Sequence, residues 1–180
     1  MKVVIVGGVA GGATAAARIR RLKEDAEIII LEKTGYISYA NCGLPYYIGD
    51  VIEESNNLIL QTPQSFKNRF CIDVRVNNEV ISVNSDKKYV VVKNVLTNET
   101  YQETYDKLIL SPGAKPLMPN ISGMDSNRIF TLKTVEDTFK MKKFIQDKNP
   151  KRVVIIGGGF IGMEMLENLL NLGLEVTLIE

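Results

Sequence analysis

One layout occurs twice in this chain and narrows its fold more than any other feature. Residues 2–8, KVVIVGG, form a continuous apolar run ending in glycines; residues 11–22, GGATAAARIRRL, are alanine-rich with helical spacing; residues 26–32, AEIIILE, are apolar again. A strand buried on both faces reads as such an unbroken run, and a glycine turn into a helix completes a βαβ unit. Residues 151–180 repeat the layout as RVVIIGGGF, IGMEMLENLLNLG and LEVTLIE, with Gly173 as the stop signal of the helix. Two such units roughly 150 residues apart predict an α/β fold with two nucleotide sites.

The first glycine loop, GGVAGG, places Gly7 and Gly12 at the first and third positions of the dinucleotide fingerprint. Val9 stands at the second, where backbone approaches a pyrophosphate, so the match is incomplete. Context compensates: the loop joins a strand to a helix, whose first N–H groups and dipole favour phosphate. Val9, Ala10 and Gly11 complete the candidate loop, and Glu32 ends the next strand where a carboxylate can bind ribose hydroxyls. The second loop, GGGFIG, matches fully through Gly157, Gly159 and Gly162, with Glu180 after its second strand. An acidic residue there would repel a 2′-phosphate and so favours NADH over NADPH.

Between the two units, DVRVNNEVISVN and KKYVVVKNVLT alternate with turn-rich segments and predict a β-meander. YDKLILSPGAKP reads as a buried strand entering a Ser-Pro-Gly turn. TLKTVEDTFKMKKFIQD reads as a connecting helix, with Thr134 and Asp137 spaced as a capping box, and the domain boundary falls within residues 114–150. A net charge of +1 gives no field of one sign for nucleic acid or an acidic membrane surface, and no apolar run approaches the roughly 20 residues of a membrane span. The start, VVIVGG after a single lysine, is unlike a signal peptide, so the expected location is cytoplasmic. The chain has no histidine, which excludes Ser/His and Cys/His pairs and any histidine-ligated metal, and two cysteines do not make a thiolate zinc site; no metal is expected.

Those cysteines differ in setting. Cys42 lies in ISYANCGLPYY, flanked by Asn41 and Gly43, with Pro45 placed for the first turn of a short helix beginning just after the thiol. A helix start stabilises a thiolate, which is the reactive form. The alternative is a small buried hydrophobe, the usual fate of a free cysteine. Cys71, in NRFCIDVRV, reads as the structural start of a strand. On the first helix Thr14, Arg18 and Arg21 share one face, opposite an apolar stripe of Ala15, Ile19 and Leu22. Such a face is either simply solvated or, next to a phosphate loop, a place where two guanidinium groups grip phosphates.

Taken in order, the first loop, the cysteine at 42, the strand ending in SPGAKP and the second loop at 157 resemble the flavoprotein disulfide reductases over essentially the whole chain. The resemblance implies a Rossmann-like FAD-binding domain with an inserted β-meander, followed by the start of a second Rossmann-like, NAD(P)-binding domain. Residues 1–114 would be the first segment of the FAD domain, 115–149 a connecting segment, and 150–180 the first βαβ unit of a truncated NAD(P) domain. Dithiol members carry a second cysteine five positions after the first; here that position is Tyr47. This places the chain with the single-cysteine branch, which includes coenzyme A-disulfide reductases, persulfide and polysulfide reductases, NADH oxidases and NADH peroxidases.

Within that branch Asn41 before the cysteine, and Ser38 four before it, look like the coenzyme A-disulfide reductases, whereas oxidases and peroxidases generally have serine before it; Tyr39 replaces the usual Phe. By resemblance Thr14, Arg21, Ser38 and Asn41 contact coenzyme A, with Arg18 standing where Gln is common. Lys33, Val80, Ser111, Pro112 and Gly113 would neighbour FAD, although Ser-Pro-Gly departs from the more usual Ala-Thr-Gly, and Glu164 would lie near the nicotinamide. The implied reaction passes electrons from NADH or NADPH through FAD to a mixed disulfide of Cys42 with coenzyme A or a related small disulfide or persulfide. An NADH oxidase or peroxidase cycling through a cysteine sulfenic acid is the alternative enzyme, and a nucleotide-binding redox sensor the alternative without catalysis. The resemblance also implies a homodimer built by a later domain and a FAD site completed by a later segment, so residues 1–180 alone are expected not to turn over.

Overall fold

A computed structural model describes residues 1–180, which divide into two compact units: Met1–Tyr39 with Ile59–Ala114, and Ala40–Leu58 with Lys115–Glu180. The first unit is built on a parallel sheet of β1 (Lys2–Val6), β2 (Glu27–Leu31), β3 (Asp73–Arg75) and β7 (Lys107–Leu110), in the order β3-β2-β1-β7. Helix α1 (Ala10–Leu22) makes the crossover from β1 to β2, and α3 (Pro63–Phe70) precedes β3. The apolar runs of β1 and β2 are buried on both faces. Val3, Ile5, Ile28 and Ile30 pack with Ala13, Ala16 and Phe66, while Val4, Ile29 and Leu31 face the other way onto Val90 and Val92. Each fully buried isoleucine or valine among them contributes about 1.5–3 kcal/mol.

The second layer is the antiparallel meander β4 (Asn78–Asn84), β5 (Tyr89–Asn94) and β6 (Thr100–Thr104). DVRVNNEVISVN is therefore not one meander segment: DVR pairs in parallel with β2, and a turn with Asn77 at φ 58° separates it from β4. Nor is β7 a buried strand. It is the edge of the parallel sheet, and Leu110 is 60% exposed. On α1 the inward face is Gly12, Ala13 and Ala16, with Ile19 partly buried, rather than Ala15, Ile19 and Leu22; Leu22 is exposed at the last turn. Small residues let the helix approach the sheet closely, which decides the face against the larger side chain. Cys71 does not begin a strand and is not a buried structural thiol. It is the exposed, left-handed C-cap of α3, with φ 49°.

A charged cluster ties the two layers of this unit. The Glu103 carboxylate on β6 accepts hydrogen bonds from Lys2 Nζ on β1 and Arg75 Nη1 on β3, both at 2.5 Å, and Tyr101 donates to Asn78. Burial alone would push the Glu103 carboxyl up, but the hydrogen bonds and charges of Lys2 and Arg75 outweigh it and hold it below the ordinary value. A carboxyl depressed in the folded state stabilises above its unfolded pKa, about 4.3, and that contribution is lost as pH falls through the folded value. Lys2 and Arg75 side chains are 25% and 31% exposed, so Glu103→Gln is expected to cost roughly 1–3 kcal/mol at neutral pH rather than the full cost of a dry pair. Urea unfolding at pH 7 and pH 3 would show it, the wild-type advantage shrinking at the lower pH.

The second unit contains α2 (Leu44–Ile48), α4 (Val135–Lys148), β8 (Arg152–Ile156), α5 (Phe160–Asn171) and β9 (Glu175–Ile179). Strands β8 and β9 pair in parallel with α5 between them. The capping box of α4 forms: Thr134 Oγ1 accepts from Asp137 N at 3.1 Å, and the Asp137 carboxylate accepts from Thr134 N at 3.0 Å. Gly173 follows α5 at φ 79° and ends it. Ile48, Met165, Leu169 and Leu174 form the core of this unit. No helix is long and apolar enough to cross a membrane.

Candidate active site

In the first unit the glycine loop is shaped by close backbone approach. A Cβ on Gly12 would lie 1.8 Å from the Gly7 carbonyl oxygen, and one on Gly7 would lie 2.0 Å from the Ser111 carbonyl oxygen. Only glycine permits either contact. No side chain caps α1, which leaves its first-turn N–H groups for an anionic partner. The Ser111 hydroxyl borders the loop, 3.1 Å from the position of a Cβ on Gly11, and Ser111 N donates to the Val6 carbonyl. Ser38 joins the same loop from the other side. Its N–H donates to the Gly8 carbonyl at 3.0 Å, and its own backbone is left-handed at φ 45°.

Glu32 anchors the loop from within the protein. Its buried carboxylate accepts from Gly8 N at 2.8 Å through Oε2, and from the N–H and hydroxyl of Thr34 through Oε1. It thus fixes the loop to the end of β2 while keeping acceptor capacity, since a carboxylate has about four lone-pair sites. The second unit repeats the device: Gly158 N donates to Glu180, and a Cβ on Gly162 would lie 2.0 Å from the Gly157 carbonyl. Gly8, Gly158 and Thr34 are the residues missed by the fingerprint. The signal for them was present as a glycine one place after the first fingerprint position, with an acidic residue closing the next strand.

The other residues expected near FAD are spread through the first unit. Lys33 is exposed, Pro112 and Gly113 follow β7 on an exposed turn with Gly113 at φ 70°, and Val80 packs on the apolar layer of Val4, Ile29 and Leu31. Thr14, Arg18 and Arg21 are all exposed on α1, and neither Arg18 nor Arg21 makes a hydrogen bond or ion pair. Arg20, between them, is committed: its guanidinium donates to the carbonyls of Phe70, Glu24 and Cys71.

The thiol segment belongs to the second unit. Asn41, Cys42 and Gly43 form a 3-10 turn that runs directly into α2, with Pro45 in its first turn. Gly43 is wedged tightly, a Cβ there lying 3.0 Å from Leu58 and 3.2 Å from Ile52, so the turn cannot drift inward. Leu44, Pro45 and Ile48 are buried, whereas Asn41 and Cys42 are exposed and the thiol is free. The alternative of a small buried hydrophobe does not describe Cys42. Tyr47 packs edge-on against Phe139, ring centroids 5.7 Å apart. Glu164 lies on the second turn of α5, its carbonyl accepting from Asn168 Nδ2 at 2.8 Å. No group of three or more acidic or cysteine side chains gathers where a metal could bind.

The family model described as "Pyridine nucleotide-disulphide oxidoreductase" matches residues 1–180. The chain belongs to this family. Among members of the pyridine nucleotide-disulphide oxidoreductases, a coenzyme A disulfide reductase of Staphylococcus haemolyticus is 48% identical over 178 residues, 99% of this chain and 40% of the relative. The solved structure of reduced Bacillus anthracis CoADR-RHD superposes with a TM-score of 0.96 at 56% identity, covering 98% of this chain and 32% of that one. An NAD-dependent persulfide reductase from A. fulgidus superposes at 0.93 with 35% identity, covering 99% of this chain and 34% of that one. The chain therefore spans about 40% of the length of the curated relative it matches.

Proposed function

We propose that this chain is part of an FAD-dependent NAD(P)H oxidoreductase that reduces coenzyme A disulfide, or a closely related disulfide or persulfide, through Cys42. The observation that carries the reading is an exposed, unpaired thiol at the start of a short helix whose fifth following position is Tyr47. With no second thiol in the helix, the partner sulfur has to come from substrate. Similarity to a coenzyme A disulfide reductase and to a persulfide reductase supports the same substrate class.

The glycine cradles fit dinucleotides. Gly7, Val9, Ala10, Gly11 and Gly12 would take the FAD pyrophosphate, Glu32 its ribose, and Lys33, Val80, Ser111, Pro112 and Gly113 the rest of that cofactor. Gly157, Gly159, Gly162 and Glu180 would take the adenosine half of NADH or NADPH, with Glu164 towards the nicotinamide. Bound flavin supplies the two-electron link between nicotinamide and sulfur. Residues 1–114, 115–149 and 150–180 then serve as the first FAD segment, the connection and the first NAD(P) βαβ unit of a protein that works as a homodimer.

The chemistry of the chain itself lies at one sulfur. The Cys42 thiolate attacks one sulfur of the disulfide, forming a mixed disulfide and expelling one coenzyme A thiolate. Two electrons then break that bond, returning the Cys42 thiolate and releasing the second coenzyme A thiolate; each released thiolate takes a proton. Asn41 and Ser38 would orient the substrate, and Thr14, Arg18 and Arg21 its phosphates. Mass spectrometry of the isolated holoprotein is expected to find coenzyme A on Cys42, released by a thiol reductant. A Cys42 sulfenic acid instead, with NADH turnover supported by oxygen and not by coenzyme A disulfide, would replace this reading with the oxidase.

A further inference from the structure

The thiol sits on a helix that cannot hold itself. Helix α2 has five residues, well below the length at which a helix persists without tertiary support. Its far end is gripped by one side chain from α4. Lys142 Nζ donates to the Tyr47 carbonyl at 2.6 Å, pairs with the Asp50 carboxylate at 2.7 Å, and lies 3.8 Å from the centre of the Tyr47 ring. The lysine is 9% exposed, so its contacts with the Tyr47 carbonyl and ring are shielded from water, while its Asp50 partner is 58% exposed. An ammonium group has three donors, and all three directions find a carbonyl, a carboxylate or an aromatic face.

The position of the grip matters. Tyr47 is in the last turn of α2, where its carbonyl receives only a long backbone bond from Asp50 N at 3.4 Å and a cation is favoured. Asp50 follows with left-handed backbone at φ 60°, and Gly49 between them packs so closely on α5 that a Cβ there would lie 2.3 Å from Asn168 Oδ1. One end of the segment is thus clamped on α4 and α5, and Gly43 is wedged at the other. Cys42 projects from the turn between that wedge and solvent.

We infer that Lys142 is a positioning residue for Cys42: it fixes the C-terminal end of α2 and thereby the placement of the thiol against its disulfide. The inference rests on Cys42 being the sulfur that reacts. Misplacing a reacting atom by about 1 Å can cost on the order of a hundredfold in rate, and partial loosening of a short helix costs less. The partners of Lys142 are Tyr47 and Asp50, neither of them a glycine-loop residue, so flavin reduction by NADH is expected not to depend on it.

The test uses the flavin-loaded holoenzyme with K142M, K142R and D50N. Three rates are read: anaerobic flavin reduction by NADH, reoxidation of the reduced enzyme by coenzyme A disulfide, and alkylation of Cys42 by iodoacetamide against pH. K142M is expected to slow reoxidation and alkylation roughly tenfold while flavin reduction stays within about twofold, and K142R to recover most of the loss. D50N is expected to show the same pattern at about threefold. Wild-type reoxidation and alkylation in K142M would overturn the inference, as would an equal loss in all three rates that K142R does not relieve. If K142M does not retain flavin, D50N decides, and unchanged alkylation there is equally fatal. Failure of the functional reading shows separately, as C42S that still reduces coenzyme A disulfide; the alkylation rates report on thiol placement in either case.

Discussion

Cys42→Ser in the complete holoenzyme is expected to lower the reduction of coenzyme A disulfide a thousandfold or more while NADH still reduces the flavin at close to the wild-type rate. The two half-reactions separate because they use different parts of the chain. On the proposed reading flavin reduction calls on the glycine loops, which Glu32 and Glu180 anchor, and does not call on the thiol. On the same reading sulfur transfer runs through the Cys42 sulfur, and an alcohol oxygen neither expels a thiolate from a disulfide nor accepts two electrons afterwards. Cys42 is exposed, so the serine leaves no cavity and stability should be unchanged. Cys71→Ser is the matched control: that thiol is also exposed, but it caps a helix, and its replacement should leave both half-reactions intact. Anaerobic stopped-flow with the two substrates added in turn measures each step. Disulfide turnover surviving in the Cys42 variant would remove the thiol from the mechanism.

Much of this architecture was legible because its signals are local or are repeated. Strands buried on both faces write themselves as IIIL or VVIV, and the Thr134–Asp137 cap needs only a three-residue spacing. The misreadings have both local and distant causes. NRFCIDVRV reads as a strand opening at Cys71, yet α3 reaches Phe70 and hands over through a left-handed residue. That helix also announced itself, with Pro63 in its first turn and Thr62 and Ser65 forming a capping box. The inward face of α1 follows from how closely alanines approach a sheet, which a pattern of residue size alone assigns to the wrong stripe. The Lys142 grip on Tyr47 spans 95 positions and leaves no motif at either end. The anchoring of the loop by Glu32 forms only when β1 and β2 lie side by side, although Gly8 and the acidic strand end are both visible in the sequence.

Arg18→Ala combined with Arg21→Ala is expected to raise the KM for coenzyme A disulfide on the order of a hundredfold, with little change for a small disulfide that carries no phosphate. Within the fold both side chains are exposed and unpaired, and α1 is held by Gly12, Ala13, Ala16 and Arg20 instead. Removing them should therefore leave stability within about 0.5 kcal/mol of the wild type. Their value must lie in a ligand if they have one. Thr14 shares their exposed face, and coenzyme A brings a pyrophosphate and a 3′-phosphate that a planar guanidinium binds through two parallel hydrogen bonds. A charge-assisted contact contributes about 1.5–3 kcal/mol, so two at the lower value sum to about 3 kcal/mol, which sets the hundredfold estimate. Salt provides an internal check, because raising ionic strength should weaken coenzyme A disulfide binding to the wild type more than to the double variant. Arg20→Ala should behave in the opposite way, costing stability through its lost carbonyl partners and raising neither KM selectively. Steady-state kinetics with both disulfides and a thermal melt of each variant distinguish the cases, and an equal rise in KM for both substrates in the double variant would reduce this face of α1 to a solvated surface.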